Sequence, residues 1–440
     1  MILSNIFRKQ EHIMQKYFDN IVKDIQKIVS FPSVQAPAEK DAPFGRPAAE
    51  CLDYFLSLAR NMGFETHDYD HYVGEVIFGE GEEFAVLAHL DVVPAGNGWK
   101  YPPFGGVIEN GKLYGRGTMD DKGPAIVCLY ALHALKEEGF CPKRKIKLIV
   151  GCNEETGWGC MEHYRKVAHM PEEGFTPDAD FPVIYAEKGI VHLRLAFPLP
   201  SAPFKTLSGG SAANMVCDRA ESLPLSPIDL GGAYEKVKDV ALSEKDGVLG
   251  AQGVSAHGST PEAGANALQG MLAYYAAQDK ECAKIFSLLF EDRLKLKEMH
   301  DETGYLTFSP DVAEYKNGVL YVTTDFRYPA THTLNEVTHA WDRANVSYEI
   351  LHEQAPLYNP ADGKVIQTLL NVYNRVTGKN EKPIAIGGGT YARVLKCGCG
   401  FGPQSEDEEV TIHQPNEYIA LDKIRELSEI YYLALKEISK

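Results

Sequence analysis

Apolar residues recur with helical spacing in several long segments of the chain. These segments predict helices over residues 17–29, 48–62, 124–138, 365–376 and 421–438. Shorter apolar runs lie between them and predict buried strands over residues 74–78, 84–89 and 145–151. Strands that alternate with long helices indicate an α/β domain with three layers and a mostly parallel sheet.

The pattern changes in the middle of the chain. Residues 191–197 and 318–326 alternate between apolar and polar positions, as half-exposed strands do, and helical spacing returns over 266–278 and 283–296. This region predicts an inserted α+β unit of antiparallel strands and helices. We therefore expect one α/β domain, residues 1–189 plus 353–440, interrupted by a second domain, residues 190–352.

Composition and charge exclude some classes of partner. Hydrophobic residues make up 44% and charged residues 24%, which is ordinary for a soluble globular protein. The net charge of −17 disfavours nucleic acid and anionic membranes as partners, because both bind clustered Lys and Arg. The longest basic cluster, residues 143–145, precedes an apolar run and is interpreted as the solvated start of a strand. No run approaches the roughly 18 apolar residues of a membrane span.

Cysteine usage and the start of the chain bear on localisation. The nine cysteines are an odd number and are scattered, which is typical of reduced thiols in the cytoplasm. The first residues carry neither the apolar length nor the charge order of a secretory signal. Cys397 and Cys399 are the one close pair, and a metal site at them would need a second pair nearby.

A first string of chemical interest is His89-Leu90-Asp91, directly after an apolar run. His89 and Asp91 stand at i and i+2 in an extended segment, so their side chains share one face. The carboxyl end of a central strand is the usual place for a site in an open α/β sheet. The alternative is a buried histidine whose hydrogen bond is satisfied by the neighbouring aspartate.

Two further strings follow in order. GRGTMDDKGP, residues 115–124, sets Asp120 and Asp121 side by side, and such charges repel unless a cation lies near them. GCNEETG, residues 151–157, offers Glu154 and Glu155 at a strand end. Taken singly, these strings could be an acidic helix N-terminus and a solvated turn. Together with the first string they predict a dinuclear metal site with a free carboxylate, which commits a protein chiefly to hydrolysis of amide or ester bonds.

The strings HxDVVP, GRGxxDDKG and NEExG, in this order, resemble the di-zinc peptidase family of aminoacylases, peptidase T and bacterial dipeptidases, and within it the PepV-like dipeptidases. The resemblance extends over nearly the whole chain and is densest over residues 79–157. It implies a catalytic di-metal domain, interrupted by a lid domain, and the activity of a cytoplasmic metallo-dipeptidase.

The resemblance also implies roles for individual residues. His89 and Asp178 would bind one divalent ion, Glu155 and His413 the other, and Asp120 would bridge both. In relatives the peptide bond between the two aspartates of the pair is cis. Zinc is the favoured metal, while manganese and cobalt suit the same ligands. Glu154 would be the general base, and Asp91 would orient the ring of His89.

The inserted domain would complete the site. By resemblance, His257 in SAHGSTPEAGANA would stabilise the oxyanion, and Asn214 and Arg327 would contact the substrate. The glycine-rich string GGGTYAR supplies donors that suit a carboxylate, although a tight turn is the alternative. The donors of that string are Gly388, Gly389, Thr390 and Arg393.

The fourth ligand selects a subclass by resemblance. An aspartate there, here Asp178, accompanies enzymes that accept a free α-amino group, so the expected substrates are dipeptides with a free N-terminus. An N-acyl-amino-acid or succinyl-type deacylase and a tripeptidase are the alternatives. A non-catalytic member is disfavoured because every ligand position and Glu154 are filled. The insert is shorter than in PepV-like relatives, and a monomer is favoured over a homodimer.

Overall fold

The computed structural model describes residues 13–232, 234 and 236–440. These residues form two compact units. The first unit contains the described residues up to Tyr185, together with Asn359–Ile384 and Thr390–Lys440, and the second contains Ala186–Tyr358 and Ala385–Gly389. The backbone N–H of Asn359 donates to the carbonyl oxygen of Tyr185 at 2.9 Å, so the chain leaves and re-enters the first unit at neighbouring points.

Helices and strands alternate in the first unit, whereas strands dominate the second. Among the described residues the α-helices are α1 (Phe18–Val29), α2 (Arg46–Asn61), α3 (Lys122–Glu137), α4 (Gly159–Val167), α5 (Ala267–Ala276), α6 (Lys280–Phe290), α7 (Leu334–Arg343), α8 (Lys364–Thr377) and α9 (Leu421–Ile438). Up to the start of the second unit the strands are β1 (Glu65–Tyr69), β2 (Val73–Phe78), β3 (Glu82–His89), β4 (Val107–Glu109), β5 (Lys112–Tyr114), β6 (Arg144–Gly151), β7 (Glu173–Thr176), β8 (Ala179–Asp180) and β9 (Ile184–Glu187). The second unit continues with β10 (Gly189–Pro198), β11 (Phe204–Gly209), β12 (Arg219–Pro224), β13 (Ala241–Lys245), β14 (Val248–Gln252), β15 (His300–Asp301), β16 (Gly304–Tyr305), β17 (Thr307–Lys316), β18 (Val319–Tyr328), β19 (Ser347–Gln354) and β20 (Leu357–Tyr358). The remaining strands are β21 (Ile384–Ile386), β22 (Cys397–Gly400), β23 (Pro403–Gln404) and β24 (Tyr418–Ala420).

The main sheet of the first unit is mixed. Strands β6, β3, β7 and β22 are parallel neighbours in that order. Strands β1 and β2 extend the sheet antiparallel beyond β6, and β9 pairs antiparallel with β22. The predicted α/β class is confirmed, and the sheet combines these parallel pairs with antiparallel ones. Among the parallel strands, β3 and β6 contain near-continuous apolar runs, as expected of strands that are buried on both faces.

Helix α3 forms the centre of the helical layer. Its residues from Ala125 to Leu132 are all buried, and it contacts α1, α9 and strand β3. Helix α2 packs on β1 and β2 instead. The start of α3 is thereby fixed against the sheet, directly after the Asp120-Asp121 pair.

The helical spacing of the first unit predicts its helices well. The five predicted helices begin and end within two residues of α1, α2, α3, α8 and α9. In the second unit the prediction of a helix reaching Leu296 is wrong, because α6 ends at Phe290. Asp292 and Lys295 have φ values of 47° and 57°, and such left-handed residues do not continue a right-handed helix.

The second unit is built on an eight-stranded sheet. Its order is β13-β14-β12-β11-β17-β18-β10-β19, and the neighbours are antiparallel. The two alternating segments predicted from the sequence become β10 and β18, which pair along their whole length. Trp341 of α7 is buried and lies against the rings of Phe308 and Phe326. An α+β insert is therefore observed, and its service as a lid stays a prediction.

Among the residues that the structure describes, no helix combines the length and the apolar composition that crossing a bilayer requires.

Candidate metal centre

Three of the predicted site segments follow the carboxyl ends of adjacent parallel strands. Strand β3 ends at His89, β6 ends at Gly151 just before Glu154 and Glu155, and β7 ends at Thr176 just before Asp178. Since β6, β3 and β7 are parallel neighbours, these ends meet at one edge of the sheet. The topology thus brings together side chains that are far apart in sequence.

The other two candidate ligands come from loops of the same unit. Asp120 precedes α3, is 6% exposed, and is joined to Asp121 by a cis peptide bond. His413 lies in the loop between β23 and β24 and has a φ of 60°. Its side chain is 50% exposed, whereas His89 is fully buried.

Asp120 lies between two imidazole rings. Its Oδ1 is 2.9 Å from Nε2 of His89, and its Oδ2 is 2.9 Å from Nε2 of His413. Oδ2 of Asp178 lies 3.5 Å from Nε2 of His89, and Oε2 of Glu155 lies 3.2 Å from Nε2 of His413. Each oxygen of Asp120 therefore faces a different histidine, and each of these histidines lies near a different second carboxylate.

The donor set fits two divalent cations. Ligand atoms of His89, Asp120 and Glu155 lie within 4.8 Å of one another, and so do those of His89, Glu154 and Asp178. The cluster contains four carboxylates and two imidazoles, so its own side chains supply a surplus of negative charge that cations would neutralise. Imidazole and carboxylate together suit zinc, manganese and cobalt.

The carboxyl groups of the cluster differ in the direction in which their pKa values are shifted. Burial raises the pKa of Glu154 to about 8, and the neighbouring carboxylates of Asp178, Asp91 and Glu155 add to that rise. Burial would also raise the pKa of Asp120, but hydrogen bonds with His413 and His89 hold it below its ordinary value. Hydrogen bonds to Asp120 and Glu155 raise the pKa of His413 to about 10.

Asp91 contacts the turn that carries the two glutamates. Its Oδ1 accepts the N–H of Glu154 at 3.0 Å, and its Oδ2 accepts the N–H of Glu155 at 3.1 Å. Nδ1 of His89 is 3.0 Å from the backbone oxygen of Asp91 and 3.5 Å from its Oδ1. The predicted contact between Asp91 and the imidazole is present, and its shorter part is made by the main chain.

Glu154 is oriented by an indole. Nε1 of Trp158 donates to Oε1 of Glu154 at 2.9 Å. Trp158 itself lies beside the ring of Tyr391, and Tyr391 makes an edge contact with His89. This aromatic support was not predicted, because a tryptophan in NEETGW has no sequence signature for such a contact.

The glycine-rich string GGGTYAR crosses from one unit to the other within its own length. Gly388 and Gly389 belong to the second unit, and Thr390 and Arg393 belong to the first. Oγ1 of Thr390 accepts the N–H of Ala392 at 3.3 Å, at the start of the short 3-10 helix Tyr391–Val394. Through Tyr391 this string reaches the ring of His89.

The three remaining candidates lie together in the second unit. The N–H of Gly258 donates to the carbonyl of Asn214 at 2.8 Å, which joins the Asn214 loop to the His257 loop. His257 is exposed, as its small neighbours predict, and its Nδ1 lies 2.7 Å from Oγ of Ser259. Arg327 is buried and makes a bidentate pair with Asp325, with both N–O distances 2.8 Å.

Comparison with known proteins identifies the family. The model of Peptidase family M20/M25/M40 matches residues 85–437. YtjP of Bacillus subtilis (strain 168) is 33% identical, with 96% of this chain and 98% of that protein covered. The Beta-Ala-Xaa dipeptidase of Lactobacillus delbrueckii subsp. lactis is 32% identical, with 96% of each chain covered.

Solved structures share the fold at lower identity. Human carnosine dipeptidase 1 matches with a TM-score of 0.59 and 15% identity over 98% of each chain. The dipeptidase Dug1p of Saccharomyces cerevisiae matches with a TM-score of 0.59 and 14% identity over 98% of each chain. The family match spans most of the chain and includes all five candidate metal ligands. The chain belongs to Peptidase family M20/M25/M40.

Proposed function

We propose that this protein is a metal-dependent dipeptidase that hydrolyses the peptide bond of dipeptides with a free N-terminus. The observation that carries the proposal is the convergence of two imidazoles and four carboxylates at the carboxyl ends of adjacent parallel strands. The similarity to the Beta-Ala-Xaa dipeptidase over almost the full length supports the same activity.

In this proposal two divalent cations occupy the candidate centre. His89 and Asp178 would hold one, Glu155 and His413 would hold the other, and Asp120 would be shared by both. When bound, the cations lower the pKa of a water molecule and polarise the carbonyl of the substrate. Zinc is the proposed metal because imidazole and carboxylate suit it, and manganese and cobalt remain alternatives for the same ligands.

Glu154 is the proposed general base and acid. Its Oε1 accepts the indole N–H of Trp158, which holds the carboxyl group in place for reaction with a water molecule. Glu154 takes a proton from this water molecule while the water oxygen attacks the scissile carbonyl carbon. It then delivers the proton to the nitrogen of the departing amine as the C–N bond breaks. Asp91 holds the backbone of Glu154 and so sets the direction of this carboxyl group.

Residues of the second unit are proposed to bind the substrate. His257 donates to the developing oxyanion, and Asn214 and Arg327 contact the substrate backbone and carboxylate. Gly388 and Gly389 are proposed to contribute backbone N–H groups, with Thr390 and Arg393 as further donors to a carboxylate. The close grouping of Asn214, His257 and Arg327 in the second unit supports a common role.

A monomer in the cytoplasm completes the proposal. The nine cysteines all lie in the described part of the chain, and no disulfide joins them. Reduced thiols are typical of a reducing compartment.

The choice among hydrolase classes is tested with matched substrates. A dipeptide library is assayed after removal of metal by chelation and after return of zinc, manganese or cobalt singly. We expect hydrolysis of free dipeptides to require added metal and to be lost when the α-amino group is acetylated. Faster hydrolysis of the acetylated substrates would favour a deacylase, and preference for tripeptides would favour a tripeptidase.

Replacement of His257 by alanine tests the oxyanion role. A lost oxyanion donor acts in the transition state, so kcat should fall about 10²–10³-fold with KM nearly unchanged. Steady-state kinetics on one dipeptide measure both constants. His339→Ala is the control, because that histidine is exposed on α7 of the same unit. A raised KM with kcat unchanged would contradict the assignment, because it would mean that His257 binds substrate and transition state equally.

A further inference from the structure

Three loops that carry candidate ligands meet at one buried ion pair outside the proposed ligand set. Nη1 of Arg116 lies 2.8 Å from Oε2 of Glu417, and the side chains are 2% and 0% exposed. Arg116 belongs to the GRGTMDD loop of Asp120, and Glu417 lies in the same β23–β24 loop as His413. The pair therefore joins the loop of Asp120 to the loop of His413.

The second oxygen of Glu417 binds the main chain of the Asp120 loop. Oε1 accepts the N–H groups of Gly117 and Met119 at 3.0 Å each and that of Asp120 at 3.3 Å. These three donors lie in the turn just before α3. Three bonds to one carboxylate oxygen fix the course of this turn, and with it the position of the Asp120 side chain.

The guanidinium of Arg116 reaches two further carbonyl groups in the loop after His89. Nη2 lies 3.4 Å from the carbonyl oxygens of Pro94 and Ala95, and Nη1 lies 3.4 Å from that of Gln414. A planar fork of donors can serve several acceptors at once, which a single ammonium cannot. The loops of His89, Asp120 and His413 are thus held by one group.

Burial of this pair argues for a positioning role. Taking two charges out of water is costly, and an apolar pair of similar volume often serves stability as well or better. What an apolar pair lacks is directed bonds to the three N–H groups of the Asp120 turn. Substitution of residues that hold metal ligands in place typically lowers metal affinity by about 10–100-fold.

We propose that Glu417, paired with Arg116, is a positioning residue that sets the separation of Asp120 and His413 and thereby the affinity of the centre for the cation these two residues share. The inference rests on the proposed metal centre and extends it to residues that touch neither metal nor substrate. It does not depend on which peptide is hydrolysed.

The test measures metal affinity in the absence of substrate. Full-length Glu417→Gln and wild type are titrated with zinc against a chromophoric chelator, and folding is checked by circular dichroism. The glutamine keeps an oxygen for the three N–H groups but loses the ion pair with Arg116. We expect a folded variant with zinc affinity lowered about 10–100-fold at one or both steps. Affinities within about threefold of the wild type would overturn the proposal, since that change lies outside the range for outer partners.

The matched control is Glu75→Gln. Glu75 is 1% exposed, lies in β2 of the same unit and pairs with Lys147 at 3.4 Å. If Glu75 has only a structural role, Glu75→Gln should lower the unfolding temperature and leave zinc affinity unchanged. An equal loss of affinity in Glu75→Gln would overturn a specific role for Glu417.

Arg116→Lys decides the question if Glu417→Gln does not fold. Lysine keeps a positive charge opposite Glu417 but cannot also reach the carbonyls of Pro94 and Ala95. We expect the same direction of change in zinc affinity, and an unchanged affinity would overturn the proposal. A wild type that binds two zinc ions tightly but hydrolyses no dipeptide would contradict the proposed function and leave this inference standing.

Discussion

A Glu154→Gln variant is expected to hydrolyse dipeptides about 10²–10⁴-fold more slowly than the wild type while it keeps its bound cations. The amide cannot accept the proton of the attacking water, and its oxygen can still accept the indole N–H of Trp158. The side chain should therefore stay where it is, so that the loss is one of proton transfer. Turnover under saturating substrate and the metal content of the dialysed protein are the two measurements.

Glu162→Gln supplies the control for this change. Glu162 is an exposed residue in the first turn of α4, a few positions along the chain, and the same chemical substitution there should leave turnover unchanged. A Glu154→Gln protein that retains more than about a hundredth of the wild-type rate would show that another group moves the proton.

Removal of the central carboxylate is expected to have the second large effect. In Asp120→Ala both histidines lose their partner at 2.9 Å, and the two cations lose the ligand that they would share. We expect activity to fall below detection and bound zinc to fall from two ions per chain to one or none. Metal analysis after equilibrium dialysis, beside the peptide assay, measures both quantities.

Asp422→Ala is the matched control for the loss of a carboxylate. Its side chain is fully exposed in the first turn of α9, where it pairs with Arg425 at 3.8 Å only. That variant should bind zinc and hydrolyse peptides as the wild type does. Retention of two tightly bound ions by Asp120→Ala would contradict the bridging role.

The candidate ligands could be proposed from the sequence because three short strings resemble a known family, and Asp178 and His413 follow from that resemblance alone. His89 and the NEE turn also follow apolar runs, so their place at strand ends could be predicted as well, whereas strand β7 before Asp178 was not predicted. The detail of the ligands' bonding could not be predicted. Asp91 binds the N–H groups of Glu154 and Glu155 because the β3 and β6 ends are neighbours, and neighbour order in a sheet is not written in local spacing.

The Arg116–Glu417 pair could not be predicted from local sequence patterns. Its members are 301 positions apart, and each looks like an ordinary charged residue in its own string. Only the packing of their loops removes both side chains from water. The same reason explains the mixed sheet, because apolar runs reveal that a strand is buried and not the direction of its neighbour.

Helix limits were predictable where apolar spacing and chain breakers agree. In α1 and α3 both do, whereas after Phe290 leucines continue at helical spacing although Asp292 has turned the backbone into the left-handed region. Aspartate adopts this conformation more readily than most residues, since its side chain can bond the local main chain. The N–H of Lys297 does donate to the Asp292 carboxylate.

The hydrogen bond between Asn359 and Tyr185 has a consequence for how this molecule could have arisen. Two chain ends that lie side by side can be joined by a short turn or by a whole folded module, and the host hardly differs between the two cases. The gene segment for 186–358 could thus be grafted, exchanged or resized by recombination while the strand ends that gather the histidines and carboxylates stay in place. Substrate specificity can then diverge through changes in the inserted unit, while the residues of the hydrolytic site are kept.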